Sequence, residues 1–226
     1  MTVCGKRPLI IFDFDGVIAD SEILANTVLA EVVSELGVPT TLEDALSLYM
    51  GKRFHEVVAA IEAAVGRPLP EHFPDDFQQR TLSRFRQDLR LVEGAQEFIE
   101  AFPDIPRCIA SSSSSDRLAL CLDVLNITRL FANVFSASEV ARGKPHPDIF
   151  LHAAKTMAVD PAQCIVIEDS AGGVRAGVAA GMTVIGLLAA SHVRAGHAQR
   201  LQEAGAHHLA RSFDDVRELT RVLISS

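Results

Sequence analysis

Two aspartates one residue apart, Asp13 and Asp15, stand at the end of the apolar run Leu9-Ile10-Ile11-Phe12 and are followed by Gly16. Such a run reads as a buried strand of a parallel sheet. A turn at its end brings both carboxylates to one mouth. Two anions ~4 Å apart repel by roughly 4 kcal/mol at an effective dielectric near 20. A divalent cation would offset that repulsion; the alternative is a solvated Asp turn. A second acidic pair, Glu168-Asp169, follows the apolar run Ile165–Ile167. Mg²⁺ takes oxygen ligands, one or two carboxylates among them, whereas the plainer use of this pair is an acidic N-cap for a helix opening at Ser170. Ser111 and Ser112 close a third apolar run, where backbone and hydroxyl donors suit an anion. An ordinary polar turn is the other reading, and within the run Ser111–Ser115 the register is open, so that Ser112 or Ser113 is an alternative contact. Lys144 lies in Arg142-Gly143-Lys144-Pro145. A lone loop lysine is usually solvated, but here Pro145 fixes the chain and Pro147 suits the first position of a helix.

These groups need elements to hold them. Strand-like runs fall at Leu9–Phe14, Arg107–Ala110, Asn133–Ser136, Cys164–Ile167 and Thr183–Leu187, with a short candidate at His207–Ala210. Helical patterns separate the later ones, which implies right-handed crossovers and a parallel sheet with helices on both faces. In such sheets ligands bind at the carboxyl ends of strands, so the strand-end motifs converge on one mouth. The stretch 20–88 breaks the alternation. Glu22–Leu36 carries an i, i+4 apolar stripe ending at Gly37, Thr41 suits the N-cap of a helix ending near Gly51, Phe54–Val65 closes at Gly66, and a fourth helix runs from about Pro74 to Asp88. Four helices in tandem suggest a small inserted bundle. The helix Gly94–Phe102 re-enters the core, and a terminal helix spans about Phe213–Leu223. The fold class is α/β, a Rossmann-like parallel-sheet core over residues 1–19 and 89–226 with a helical bundle inserted over residues 20–88.

Composition narrows the partners. The chain has 226 residues, 48% of them hydrophobic, and a formal net charge of −8, which argues against nucleic acid or an anionic membrane as the main partner. No apolar run reaches the ~20 residues of a membrane span, and the N-terminus lacks a signal-peptide pattern. Cys4, Cys108, Cys121 and Cys164 show no CxxC spacing, and Cys108 and Cys164 sit beside apolar runs, as reduced core thiols in a cytoplasmic protein would.

Taken in order and spacing, Asp13-Phe14-Asp15, Ser111-Ser112, Gly143-Lys144-Pro145 and Glu168-Asp169 resemble the motifs of the haloacid dehalogenase (HAD) superfamily. The likeness covers about Leu9 to Leu188 and falls in the phosphatase and β-phosphoglucomutase-like branch, near 6-phosphogluconate-phosphatase-like proteins. It implies a Mg²⁺-dependent phosphatase for a small phosphorylated metabolite, a sugar phosphate or sugar-acid phosphate, working as a monomer or weak dimer. It makes Asp13 a nucleophile that forms an aspartyl-phosphate, which splits one hard step into two. It makes Asp15 a general acid and base, with its backbone carbonyl on the metal. Dehalogenases lack that acid. It puts Ser111 and the Ser112 amide on the phosphoryl group, Lys144 on phosphate and Asp13, and Asp169 with Glu168 on Mg²⁺. The inserted bundle resembles the family's cap, which closes over the site and excludes water. In it Lys52 and Arg53 would read the substrate's polar end; a solvated helix–helix turn is the competing reading.

The sequence departs from the mutase pattern twice. Ala25 stands where β-phosphoglucomutases have a cap histidine, and Phe54 where they have a phosphate-binding arginine, although Arg53 is adjacent. Both weaken the phosphomutase alternative; the complete acid, hydroxyl and lysine set weakens that of a silent binding protein. Other features look bland. His192, His207 and His208 have no matching metal partners and read as surface or packing residues. His146 beside Lys144 is at most a supporting residue, and Gly172-Gly173 reads as close packing at a helix start.

Overall fold

The computed structural model describes residues 8–225; Cys4 lies outside them. Two compact units are present, one formed by the described residues up to Ala19 and from Leu91 onward, the other by Asp20–Arg90.

The larger unit is built on a six-stranded sheet: β1 (Leu9–Phe12), β2 (Arg107–Ser111), β3 (Val134–Ser136), β4 (Cys164–Glu168), β5 (Thr183–Leu187) and β6 (His208–Ala210). All pairings are parallel, in the order β3-β2-β1-β4-β5-β6. β4 is buried along its whole length, as the continuous run Cys-Ile-Val-Ile requires of a strand covered on both faces. Helices α5 (Ala95–Ala101), α6 (Ser115–Val124), α7 (Asp148–Thr156), α8 (Ala171–Ala179), α9 (His197–Glu203) and α10 (Phe213–Ser225) connect and follow the strands. Phe12 packs edge-on to Phe98 and Phe131, and Phe98 tilts against Phe213, tying β1 to α5 and α10. Burying each such side chain contributes roughly 1.5–3 kcal/mol.

The first strand stops two residues before the Leu9–Phe14 run ends. Beyond Phe12 the chain makes one more sheet bond, from the Asp13 N–H to the Ile167 carbonyl (2.9 Å). It then turns on the Phe14 carbonyl, which accepts from Ile18 and Ala19 at 2.9 Å each. Gly16 enables that turn with φ of +81°, a conformation L side chains rarely adopt.

The smaller unit holds α1 (Glu22–Glu35), α2 (Leu42–Leu48), α3 (Phe54–Val65) and α4 (Phe73–Asp88). Thr41 caps α2: the Asp44 N–H donates to its hydroxyl (3.1 Å) and its own N–H donates to Asp44 Oδ2 (2.9 Å). α2 ends at Leu48, short of Gly51, because Tyr49–Arg53 makes a turn with Gly51 left-handed. Val33, Ala45, Ile61 and Phe73 lie in its apolar centre, and Arg80–Glu35 and Arg84–Glu31 pairs join α4 to α1. Among the described residues no helix is long and apolar enough to cross a membrane.

Candidate active site

Sheet order places the site. The chain runs outward from β1 through β2 to β3, then returns to start again at β4 on the other side of β1. A crevice forms where such an order reverses, outside the carboxyl ends of the two central strands. Register does the rest. Phe12 pairs with Ile167 on one side and Ile109 on the other, so Asp13 emerges level with Glu168 and Ala110.

Lys144 closes this junction. Its Nζ donates to Asp13 Oδ1 (2.6 Å), Glu168 Oε1 (2.7 Å) and the Ala110 carbonyl (3.1 Å), and sits 4.8 Å from the Phe150 ring centre. The Lys144 side chain is 7% exposed and that of Glu168 is fully buried. Burial opposes the lysine's charge, yet Asp13 and Glu168 hold the ammonium above the ordinary lysine range. Burial first, then Glu168 and Asp169, push the Asp13 carboxyl well above the usual carboxylate range against the pull of Lys144.

Glu168 and Asp169 do not cap α8. Ser170 does: its hydroxyl accepts from the Gly173 N–H (3.0 Å), while Glu168 Oε2 accepts from the Ser170 N–H (2.8 Å) and hydroxyl (2.9 Å). A Cβ on Gly173 would overlap the Glu168 carboxylate, so this glycine is a close-packing position. Asp13, Glu168 and Asp169 each offer an oxygen, all within 4.8 Å of one another and all buried. With every group ionised, this trio and Lys144 carry two negative charges in excess. Three hard oxygen donors under that charge fit a divalent cation, which would offset the repulsion among them.

The Asp15 carboxylate is outside the trio. Oδ2 accepts from the Ser113 hydroxyl and Oδ1 from Arg117 Nη2, at 2.6 Å each. Arg117, in the first turn of α6, was not legible from the sequence as a site residue; its only signal was a basic side chain six residues beyond Ser111. Ser111 is buried at the end of β2, and its hydroxyl accepts from the Ser113 N–H (3.0 Å). Ser112 is exposed. The Ser136 hydroxyl donates to the Ser113 carbonyl (2.7 Å), bracing the serine loop from β3.

His192, read from the sequence as a surface or packing residue, is packed in beside the acid trio. It is 2% exposed, and its Nε2 lies 3.1 Å from Asp169 Oδ2. The signal was weak: a single His five residues past the end of β5. His146 is exposed, and the His207 ring accepts from the Val184 N–H (3.0 Å). Lys52 and Arg53 lie exposed before α3 in the smaller unit, where Arg53 Nη2 donates to Glu56 Oε1 (2.7 Å). The Phe54 ring stacks on Phe77, centroids 6.0 Å apart.

An aspartate-ended strand, a paired lysine, an acid trio and a serine loop meet at the carboxyl end of a parallel α/β sheet, the site of a hydrolase class that the family match names. The chain belongs to the haloacid dehalogenase-like hydrolase family, which matches it over residues 10–187. It is 28% identical over 185 residues to the 6-phosphogluconate phosphatase of Escherichia coli, covering 81% of this chain and 83% of that one. Among solved structures, a conserved haloacid dehalogenase-like protein of Agrobacterium tumefaciens superposes with a TM-score of 0.86 at 35% identity, covering 96% of this chain and 99% of that one. A HAD family hydrolase of Deinococcus radiodurans, with bound phosphate and sodium, superposes with a TM-score of 0.80 at 33% identity, covering 96% of each chain.

Proposed function

We propose that the chain is a Mg²⁺-dependent phosphatase that hydrolyses a small phosphorylated metabolite, a sugar phosphate or sugar-acid phosphate. The observation that carries this reading is Asp13: a carboxylate at the end of β1, gripped by Lys144 and set among two further acids where the sheet order reverses. Likeness to a 6-phosphogluconate phosphatase and to a hydrolase holding phosphate supports the substrate class.

The Asp13 carboxylate attacks phosphorus, the P–O bond to the substrate breaks, and an aspartyl-phosphate forms. Asp15 gives its proton to the departing oxygen. It then takes one from the water that attacks the aspartyl-phosphate, which releases inorganic phosphate and restores Asp13. Before either transfer Asp15 must leave Ser113 and Arg117, or share them with the substrate. Lys144 keeps Asp13 oriented and offsets phosphoryl charge, with Ser111 at the neighbouring strand end. Asp13, Glu168 and Asp169 would hold Mg²⁺, which when bound neutralises charge on the phosphoryl oxygens.

The test is phosphate release from a panel of sugar and sugar-acid phosphates with Mg²⁺ or with excess chelator. We expect free phosphate only with Mg²⁺. Full activity in chelator would overturn the metal assignment. Stoichiometric conversion of β-glucose 1-phosphate to glucose 6-phosphate with little free phosphate would replace the phosphatase by a mutase. Alanine variants of Lys52 and Arg53 test their assignment to selectivity: KM for the metabolite rises while p-nitrophenyl phosphate turnover holds.

A further inference from the structure

Asp169 is gripped at both its side chain and its backbone by histidines from beyond β5. His192 Nε2 lies 3.1 Å from Asp169 Oδ2, within donating reach, and the His192 and His197 rings meet edge to face with centroids 5.5 Å apart. His197 Nε2 lies 2.6 Å from the Asp169 carbonyl, and Arg200 Nη2 lies 3.0 Å from His197 Nδ1. An arginine only donates, so His197 Nδ1 must be the acceptor. Its proton is therefore on Nε2, aimed at the Asp169 carbonyl. Beside His192 the Gly16 backbone closes in on the same oxygen: a Cβ there would overlap the Asp169 carboxylate and come within 2.9 Å of His192 Cε1. Asp169 thus has little freedom in side chain or backbone.

We propose that His192 and His197 are positioning residues that preset Asp169 to receive a divalent cation, His192 through the carboxylate and His197, held by Arg200, through the main chain. This rests on the cation reading of Asp13, Glu168 and Asp169. Carboxylate ligands left unsupported lose metal affinity by about 10- to 100-fold when an outer hydrogen-bond partner is removed. His192 and His197 lie 23 and 28 residues after Asp169 and reach it only because the loop after β5 folds back over the end of β4.

The experiment is calorimetric titration of the chelator-treated full chain with MnCl₂, below the unfolding temperature of each variant. Wild type binds, and Asp169→Ala loses binding; failure of either result overturns the cation reading itself. With those in hand, His192→Phe, which keeps the bulk but removes the donor, is expected to weaken Mn²⁺ by roughly 10- to 100-fold. His192→Gln, which keeps a donor, is expected to stay within about threefold, a recovery that a purely packing role would not produce. Wild-type affinity in His192→Phe overturns the inference. If that variant does not fold, His192→Ala is read by the same criterion. The exposed Arg200→Ala tests the other arm and is expected to weaken Mn²⁺ by roughly 2- to 10-fold, one hydrogen bond's worth; unchanged affinity there removes His197 from the scheme.

Discussion

Replacing Lys144 with methionine should cost the protein more stability without a divalent cation than with one. The ammonium makes two carboxylate contacts, 2.6 Å to Asp13 and 2.7 Å to Glu168, with little exposure on any of the three side chains. At an effective dielectric near 20 each contact is about 6 kcal/mol of gross attraction, set against the desolvation of all three groups. Breaking a buried pair by removing one partner leaves a net loss of about 3–5 kcal/mol, because the stranded charge stays buried. Methionine keeps most of the bulk over Phe150, so the loss is mainly electrostatic. For a chain of this size it corresponds to a fall in Tm of roughly 6–20 °C, read by calorimetry in excess chelator. Adding Mg²⁺ should narrow the gap, since removing a positive neighbour strengthens the trio's hold on a cation, and saturation at a hundred times Kd returns about 2.7 kcal/mol. Adding Glu168→Gln to Lys144→Met should recover part of the loss, with a coupling of about 0.5–3 kcal/mol. Wild-type Tm in chelator would refute the buried ion cluster as a stability element. A gap unmoved by Mg²⁺ would refute the trio as a cation site.

Other perturbations probe neighbouring parts of the site. Asp13→Asn should lower turnover at least about a thousandfold, ~4 kcal/mol of transition-state stabilisation, with BeF₃⁻ protection from unfolding lost in parallel. Gly16→Ala should cost about 1–2 kcal/mol from the positive φ alone and should blunt the Mg²⁺ response, because its methyl collides with Asp169. Arg117→Gln should lower kcat on the order of tenfold by loosening Asp15, with folding retained since the pair is partly exposed; unchanged kcat would show that the ion pair is incidental. The Asp13 carboxyl holds its proton more tightly folded than unfolded, so its contribution to stability is present at low pH. That contribution should be lost as pH rises from about 4 through the raised range; chemical denaturation in chelator with wild type and Asp13→Asn reads the difference. Burial pushes the Cys164 thiol to about 11, which leaves about a thousandth as thiolate at pH 8, so native-state alkylation followed by peptide mass spectrometry should find it unmodified.

Much of this was open to reading from residues alone. Apolar runs of three or four residues leading into Asp13, Ser111 and Glu168 mark strands whose carboxyl ends carry polar chemistry, because in a doubly covered parallel sheet only the ends meet water. Thr41, Gly37 and Gly66 mark helix boundaries through local backbone chemistry. The limits were equally physical. Periodicity is blind to strand order, so the reversal beside β1, and with it the neighbours of Asp13, came from the sheet pairing. The end of β1 at Phe12 rather than Phe14 depended on a turn closed by the Phe14 carbonyl and Gly16, which outcompeted continued pairing. The Asp15–Arg117 pair spans 102 residues and the Asp15–Ser113 bond 98. His192 looked bland because nothing near it in the chain binds metal; its partner is Asp169, brought to it by the packing of the loop after β5. Local propensity and pattern act over a few residues and so set element type, ends and motif order. Which charges face one another is decided by register and loop closure, and those exist only once the sheet has assembled.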